Sequence, residues 1–181
     1  MTMNRFRTTG LPASIRGTLP THLDASATPS SHRPRLLLVD DEPRVLASLQ
    51  EMLKGSGYAI TTADSGTAAL ACLAEMSFDL VLLDLLMMDV DGHQVMDFIN
   101  QQDIKADVIV VSGTVGIDSA IGALKRGAHD YLRKPFSREE LLRTVDNALR
   151  QRDLQQANRR MVAALALSEK KYRYLVDASP D

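Results

Sequence analysis

Carboxylates, a hydroxyl and an ammonium stand directly after short apolar runs of this sequence. In chain order these side chains are Asp40, Asp41, Asp84, Ser112 and Lys134. If the apolar runs are parallel strands, their carboxyl ends share one edge of a sheet, where open α/β sheets bind ligands. The sequence therefore predicts that these side chains meet in one pocket, although they lie far apart along the chain.

The expected chemistry of such a pocket is phosphoryl transfer. Three crowded carboxylates repel one another unless a cation joins them, and Mg²⁺ favours oxygen ligands of this kind. Asp84 is the best candidate for a nucleophile, because it ends the middle run and stands apart from the acidic pair. A nucleophilic carboxylate yields an acyl phosphate. Mg²⁺, Lys134 and Ser112 would stabilise the transferring oxygens, and Gly113 would leave space for the donor.

Apolar runs alternate with amphipathic segments from Arg35 onward, which predicts an α/β fold. Strands are expected near 35–40, 58–62, 79–83, 107–111 and 129–132, and helices near 43–54, 65–75, 92–101, 115–126 and from 137 onward. Several of the strand segments are continuously apolar, as in strands covered on both faces. We therefore predict a doubly wound, five-stranded parallel sheet with right-handed crossovers and an extended C-terminal helix. Ser137 with Glu140 is typical of a capping box at the start of that helix.

In these segments the chain resembles the receiver domain of two-component response regulators, which has a flavodoxin-like (βα)5 fold. The resemblance runs from about Arg35 to about Arg150. It rests on Leu-Val-Asp40-Asp41-Glu-Pro, Asp84-Leu-Leu-Met with Asp91-Gly92, Val-Val-Ser112-Gly113 and Gly127-Ala-His-Asp-Tyr131-Leu-Arg-Lys134-Pro135-Phe136.

The resemblance implies that Asp84 accepts phosphate from a sensor histidine kinase or a histidine phosphotransfer protein. Asp41 would bind Mg²⁺ directly and Asp40 largely through water. Asp84 and the backbone carbonyl of Leu86 would complete the protein ligands. The chain would act as a regulatory receiver and not as a self-contained enzyme.

Three further residues receive roles from the same resemblance. Lys134 would pair with the phosphoryl group, Ser112 would move toward it, and Tyr131 would turn inward behind it. The Lys-Pro bond of the family is usually cis, so the resemblance implies a cis Lys134–Pro135 bond. X-Pro bonds adopt the cis form far more often than other peptide bonds.

Met88 is a departure from the family pattern. The family usually has proline four residues after the phosphorylated aspartate, and proline would stiffen the loop that carries the Leu86 carbonyl. We therefore expect a looser metal site in which the ligands are intact and Mg²⁺ binding survives.

The last predicted helix continues past the domain with an apolar seam at alternating spacings of four and three. Its members are Leu154, Asn158, Met161, Leu165, Ser168, Tyr172 and Leu175. The spacing predicts a homodimer through this helix, in which Asn158 would fix a parallel register. The alternative is a single solvated helix.

The sequence divides into four regions. Residues 1–34 are rich in proline, serine and threonine, which predicts a disordered arm; a passive extension, an anion-binding tail and a transit peptide remain alternatives for it. Residues 35–150 form the expected receiver and 151–171 a helical linker. Residues 172–181, with Tyr-Arg-Tyr-Leu-Val and Ser-Pro-Asp, resemble the start of a PAS domain. We expect the chain to be a fragment that stops where that domain begins.

The composition of the chain narrows the remaining classes of function and partner. The net charge of -2 gives no bulk attraction to nucleic acid or anionic lipid, and no helix-turn-helix follows the receiver segments, so neither partner is expected. One cysteine excludes an internal disulfide, and we expect a cytoplasmic protein. Two bland alternatives remain: the Asp40-Asp41 pair as a helix cap, and the whole chain as a phosphorylation-independent, dimerising interaction scaffold.

Overall fold

The structure is a computed structural model that describes residues 33–113 and 117–177. Strands and helices alternate through the described residues. The strands are β1 (Arg35–Val39), β2 (Ala59–Ala63), β3 (Leu80–Leu83), β4 (Asp107–Ser112) and β5 (Asp130–Arg133). The helices are α1 (Pro43–Leu53), α2 (Gly66–Glu75), α3 (Gly92–Gln101), α4 (Ile117–Lys125) and α5 (Arg138–Asp177). The strand order is β2-β1-β3-β4-β5, and every pairing is parallel. The predicted α/β fold is confirmed.

Alternate residues of the central strands enter two separate apolar layers, because successive side chains of a strand point to opposite faces. Leu37 and Val81 belong to the layer that also holds buried residues of α2 and α3. Leu36 and Leu80 belong to the opposite layer, with buried residues of α1 and α5. Both faces of β1 and β3 are therefore covered, which explains their continuous apolar sequence.

Local capping fixes where three helices begin. The Ser65 hydroxyl accepts from the amide of Ala68 at the start of α2. Asp91 and Gln94 form a capping box at the start of α3. The predicted capping box before α5 is confirmed: the Ser137 hydroxyl accepts from the Glu140 amide at 3.2 Å, and the Glu140 carboxylate accepts from the Ser137 amide at 2.8 Å.

Helix α5 changes character along its 40 residues. Its first turns pack on the sheet through the buried residues Leu141, Val145, Ala148 and Leu149. Arg152 then reaches Asp79 and Asp107, each at 3.5 Å, beside the first residues of β3 and β4. Beyond Arg152 the helix carries exposed apolar side chains.

The predicted outer regions are described only in part. Most of the expected N-terminal arm and the last four residues of the expected PAS start lie outside the described residues. Tyr172 belongs to α5, so the resemblance to a PAS domain begins on that same helix. Within 33–113 and 117–177, no helix combines the length and the apolar character needed to cross a membrane.

Candidate functional site

Three carboxylates converge at the carboxyl edge of the sheet. Asp40 and Asp41 follow β1, and Asp84 follows the neighbouring strand β3. Each offers a carboxylate oxygen that lies within 4.8 Å of those of the other two. Asp40 is 1% exposed and Asp84 is 7% exposed, whereas Asp41 is half-buried. Parallel pairing of β1 with β3 thus brings together residues that are more than forty positions apart.

Lys134 enters the same pocket from the end of β5. Its Nζ donates to Asp40 Oδ2 at 2.6 Å and to Asp84 Oδ2 at 3.0 Å. Its backbone amide donates to the Ser112 carbonyl at 3.0 Å, which ties the ends of β4 and β5 together. The Lys134–Pro135 bond is cis, as predicted.

The electrostatics of the pocket favour a bound cation. Burial raises the pKa of Asp40 above its usual value, although hydrogen bonds from Lys134 and the Glu42 amide oppose this. Burial would lower the pKa of Lys134, but its hydrogen bonds with Asp40 and Asp84, together with the negative charges of both carboxylates, outweigh burial and raise it. With all four groups ionised, three carboxylates and one ammonium leave two negative charges. Such an all-oxygen, doubly negative site fits Mg²⁺.

The backbone of Asp84 is held from two sides. Its amide donates to the Val39 carbonyl at 2.9 Å. On the other side, a Cβ added at Gly92 would lie 2.3 Å from the Asp84 carbonyl oxygen. The Gly92 amide also donates to the Leu85 carbonyl at 3.1 Å, which closes the loop between β3 and α3. Glycine in the Asp91-Gly92 motif is therefore required for close packing of α3 on the backbone of Asp84.

The other predicted pocket residues lie on β4, on β5 and in the segments that follow β3 and β4. Ser112 is fully buried at the end of β4, and an added Cβ at Gly113 would meet no atom within 4 Å. Tyr131 is half-buried and packs against the apolar layer of α2 and α3. The Leu86 amide donates to Asp84 Oδ1 at 3.2 Å, while the Leu86 side chain is 64% exposed.

The predicted seam residues do not belong to this group. Leu154, Asn158, Met161 and Leu165 lie on α5 after Arg152, and all four side chains are exposed. Leu154, Met161 and Leu165 are each about two thirds exposed. The structure thus separates a polar pocket from an apolar surface farther along the same chain.

Sequence reasoning missed the contacts of Asp89 in the loop between β3 and α3. Its carboxylate accepts from the amides of Gly66 and Thr67, both at 3.2 Å, and from the Thr67 hydroxyl at 2.6 Å. A local sequence pattern does not predict a contact between residues that are more than twenty positions apart. The only sequence signal was an acidic residue in the loop that carries Leu86.

Comparisons with known proteins agree with this geometry. The family model for the response regulator receiver domain matches residues 36–146. The transcriptional regulatory protein PrrA of Mycobacterium tuberculosis is 40% identical over 119 residues, which are 66% of this chain and 51% of PrrA. The transcriptional regulatory protein GlrR of Escherichia coli is 37% identical over 122 residues, covering 67% of this chain and 28% of GlrR. The chain thus matches about half the length of PrrA and less of GlrR.

Solved structures give the same result. A signal receiver domain of an HD domain-containing protein from Pseudomonas fluorescens has a TM-score of 0.64 and 31% identity, covering 67% of this chain and 98% of that one. A CheY-like receiver domain from Methanospirillum hungatei has a TM-score of 0.65 and 25% identity, covering 68% and 99%.

The names of the sequence relatives bear on one expectation. PrrA and GlrR are named as transcriptional regulators, so the comparisons give no support to the expected absence of nucleic-acid contact. They do agree with a regulatory role. The fold, the pocket and the match over residues 36–146 lead to one conclusion: this chain belongs to the response regulator receiver domain family.

Proposed function

We propose that this chain is the cytoplasmic phosphoacceptor of a two-component signalling system. Asp84 accepts a phosphoryl group from a sensor histidine kinase or a histidine phosphotransfer protein. The observation that supports this most directly is the cluster of Asp40, Asp41 and Asp84, with the Lys134 ammonium bonded to the first and the last of them. Family membership supports the same role, because receiver domains generally bind Mg²⁺ at such an acidic cluster.

In this proposal each residue has a defined task. The Asp84 carboxylate attacks phosphorus as the bond to the donor imidazole breaks, and the imidazole nitrogen leaves with the bonding electrons. Asp40, Asp41, Asp84 and the Leu86 carbonyl would hold Mg²⁺, which would supply positive charge to the pocket. Lys134 orients Asp84 before transfer and stays close to the phosphoryl oxygens afterwards.

The proposed switch involves the end of β4 and β5. Ser112 and Gly113 lie beside the pocket, and the Lys134 amide is bonded to the Ser112 carbonyl. A phosphoryl group that draws Ser112 and Lys134 toward itself therefore acts on two neighbouring strands together. Tyr131 lies on β5 and follows the same displacement. Phosphate favours this arrangement only through such differential contacts.

We further propose that the output passes through α5 to a homodimer and a downstream PAS-like region. The exposed apolar residues after Arg152 support a partner helix at that surface. Asn158 lies on the seam and would fix a parallel register.

Replacement of Asp84 by asparagine tests the proposed function. With acetyl phosphate and Mg²⁺, we expect phosphorylation of the wild type and none of Asp84→Asn, because the amide is not a nucleophile at physiological pH. Mass spectrometry of the intact chain measures the added phosphoryl group. Asp91→Asn is a suitable control, since asparagine still caps α3. If neither the wild type nor the control is phosphorylated, the result favours the scaffold alternative. Phosphorylation that leaves dimerisation unchanged would favour it as well.

A further inference from the structure

We propose that Asp89 is a positioning residue for the metal site, because it fastens the Leu86-bearing loop to the start of α2. This inference rests on the proposed function, in which the Leu86 carbonyl is an ion ligand. Asp89 does not touch the ion site itself. It acts three residues further along the same loop.

The backbone donors at the start of α2 are satisfied by two different side chains. A helix leaves its first amides without partners inside the helix. Ser65 satisfies the Ala68 amide, whereas Asp89 satisfies the amides of Gly66 and Thr67. The cap of α2 is therefore divided between its own N-cap residue and a carboxylate from the loop between β3 and α3.

Gly66 and Val90 pack closely beside this cap. A Cβ added at Gly66 would lie 2.0 Å from the Val90 carbonyl oxygen and 2.6 Å from Val90 Cβ. Val90 also packs against the apolar layer of α2 and α3. The loop is thus in direct backbone contact with α2 at the residue next to Asp89, and only glycine at position 66 allows this approach.

The attachment of the Asp89 carboxylate to the start of α2 is strengthened by its negative charge. The hydrogen bond from the Thr67 hydroxyl, with backbone amides of Val90, Thr67 and Gly66, lowers the pKa of Asp89 to about 2. A negative carboxylate at a helix N-terminus is also favoured by the helix dipole. The charged, hydrogen-bonded form of Asp89 is therefore the form present at neutral pH.

The loop that Asp89 attaches to α2 is the loop that carries Leu86. Met88 replaces the proline that would stiffen this loop, and its side chain is 96% exposed. The loop is fixed at one end by Asp84 and at the other by the bond from Gly92 to Leu85. Asp89 supplies an attachment between these ends. It therefore takes over the stiffening that Met88 cannot provide.

The test compares four versions of this 181-residue chain: wild type, Asp89→Ala, Asp89→Asn and Ser65→Ala. Ser65→Ala is the matched control, since it removes a cap from the same helix end without detaching the loop. Two quantities are measured: the affinity for Mn²⁺ by electron paramagnetic resonance with Mg²⁺ competition, and the Mg²⁺ dependence of phosphorylation by acetyl phosphate.

We expect Asp89→Ala to raise the half-saturating Mg²⁺ concentration about tenfold, the lower end of the effect of residues that orient metal ligands. The phosphorylation rate at saturating Mg²⁺ should change by less than about twofold, because the ion then holds the loop itself. Asp89→Asn keeps a cap acceptor and should lie between Asp89→Ala and the wild type. Ser65→Ala should match the wild type.

Unchanged ion affinity in Asp89→Ala would overturn the inference, as would an equal shift in Ser65→Ala, which would indicate a general effect of the helix end. If the wild type binds Mn²⁺ but takes up no phosphoryl group, the proposed function fails. The affinities then still decide the role of Asp89. If the wild type binds no ion, both proposals fail.

Discussion

Lys134 is the residue on which the charge balance of the pocket depends. Its ammonium lies between Asp40 and Asp84, both almost fully buried. A buried carboxylate that loses its partner is strongly disfavoured, and the raised pKa of Asp40 shows that burial already dominates there. One ammonium for three carboxylates holds the pocket together while leaving it attractive to a divalent cation.

Gly92 is a second residue whose identity the pocket requires. In Gly92→Ala the new Cβ would collide with the backbone of Asp84 and Leu85, so that one of these segments must move. We expect a loss of about 2 kcal/mol in the free energy of unfolding, as for overpacked sites, together with slower phosphorylation of the displaced Asp84. Urea denaturation measures the first effect and phosphorylation by acetyl phosphate the second.

Gly122→Ala in α4 is the matched control for that substitution. An added Cβ at Gly122 meets no atom within 4 Å. Alanine in a helix should therefore stabilise the protein by up to about 1 kcal/mol. Equal stability of Gly92→Ala and the wild type would show that α3 does not press on the backbone of Asp84.

At the scale of elements, α5 is joined to the edge of the sheet by Tyr58 as well as by its apolar face. The Tyr58 hydroxyl, just before β2, donates to the Asp146 carboxylate of α5. Burial first, and then the hydrogen bond with Asp146, raises the pKa of Tyr58 well above its ordinary value of 10.0. The folded protein thus holds the phenol proton more tightly than the unfolded chain does.

Tyr58→Phe tests this connection through its pH dependence. At pH 7 we expect a loss of about 1 kcal/mol in unfolding free energy, the net worth of one hydrogen bond. Because the pKa of Tyr58 is raised in the folded state, its contribution to stability is complete below pH 10, the unfolded pKa, and declines progressively as pH rises from there toward the raised folded pKa. Unfolding free energies at pH 7 and pH 11 measure the difference, with Asp146→Asn as a control that keeps an acceptor but removes the charge. A difference between wild type and Tyr58→Phe that does not fall with pH would contradict the assignment.

Local patterns were sufficient to predict five strands and five helices, and the predicted boundaries that fall on described residues agree to within about two residues. The predicted first residues of the fourth helix, 115 and 116, lie outside the described residues. Apolar continuity marks β1 and β3, and the pair Ser137 and Glu140 marks the start of α5, because each signal lies within a few neighbouring positions. The polar ends of the strands also predicted that Asp40, Asp41, Asp84 and Lys134 lie close together.

The missed contacts join distant positions without any local signal. Asp89 caps α2 across more than twenty residues, Tyr58 meets Asp146 across 88, and Arg152 reaches back to Asp79 and Asp107. Arg152 lies two residues past the predicted end of the receiver at 150. Such contacts depend on how finished elements pack, and a single sequence does not encode that packing as a periodic pattern.

At the scale of the whole molecule, α5 presents apolar side chains to solvent on more than one side. Leu165, on the predicted seam, and Leu167, off the seam, are each 67% exposed. Equal exposure in the single chain means that burial there does not distinguish the two positions. The coiled-coil proposal does distinguish them, since only Leu165 would face the partner helix.

Leu165→Asp and Leu167→Asp therefore form a matched pair for the oligomeric state. In the proposed dimer, Leu165 of each of the two chains is buried and contributes about 2 kcal/mol. Leu165→Asp should therefore raise the dimer dissociation constant about a thousandfold. Leu167→Asp should leave it nearly unchanged. Sedimentation equilibrium of the full chain measures both. If neither substitution shifts the wild-type association, α5 is a single solvated helix.

The unbroken course of α5 has a mechanical consequence. It begins four residues after Lys134 and continues to Asp177 without interruption, which at 1.5 Å per residue makes a rod of about 60 Å. A tilt of one degree near the pocket sweeps the distal tip sideways by about 1 Å. A small rotation of α5 at the receiver thus becomes a displacement of atomic size at the C-terminal end of the helix.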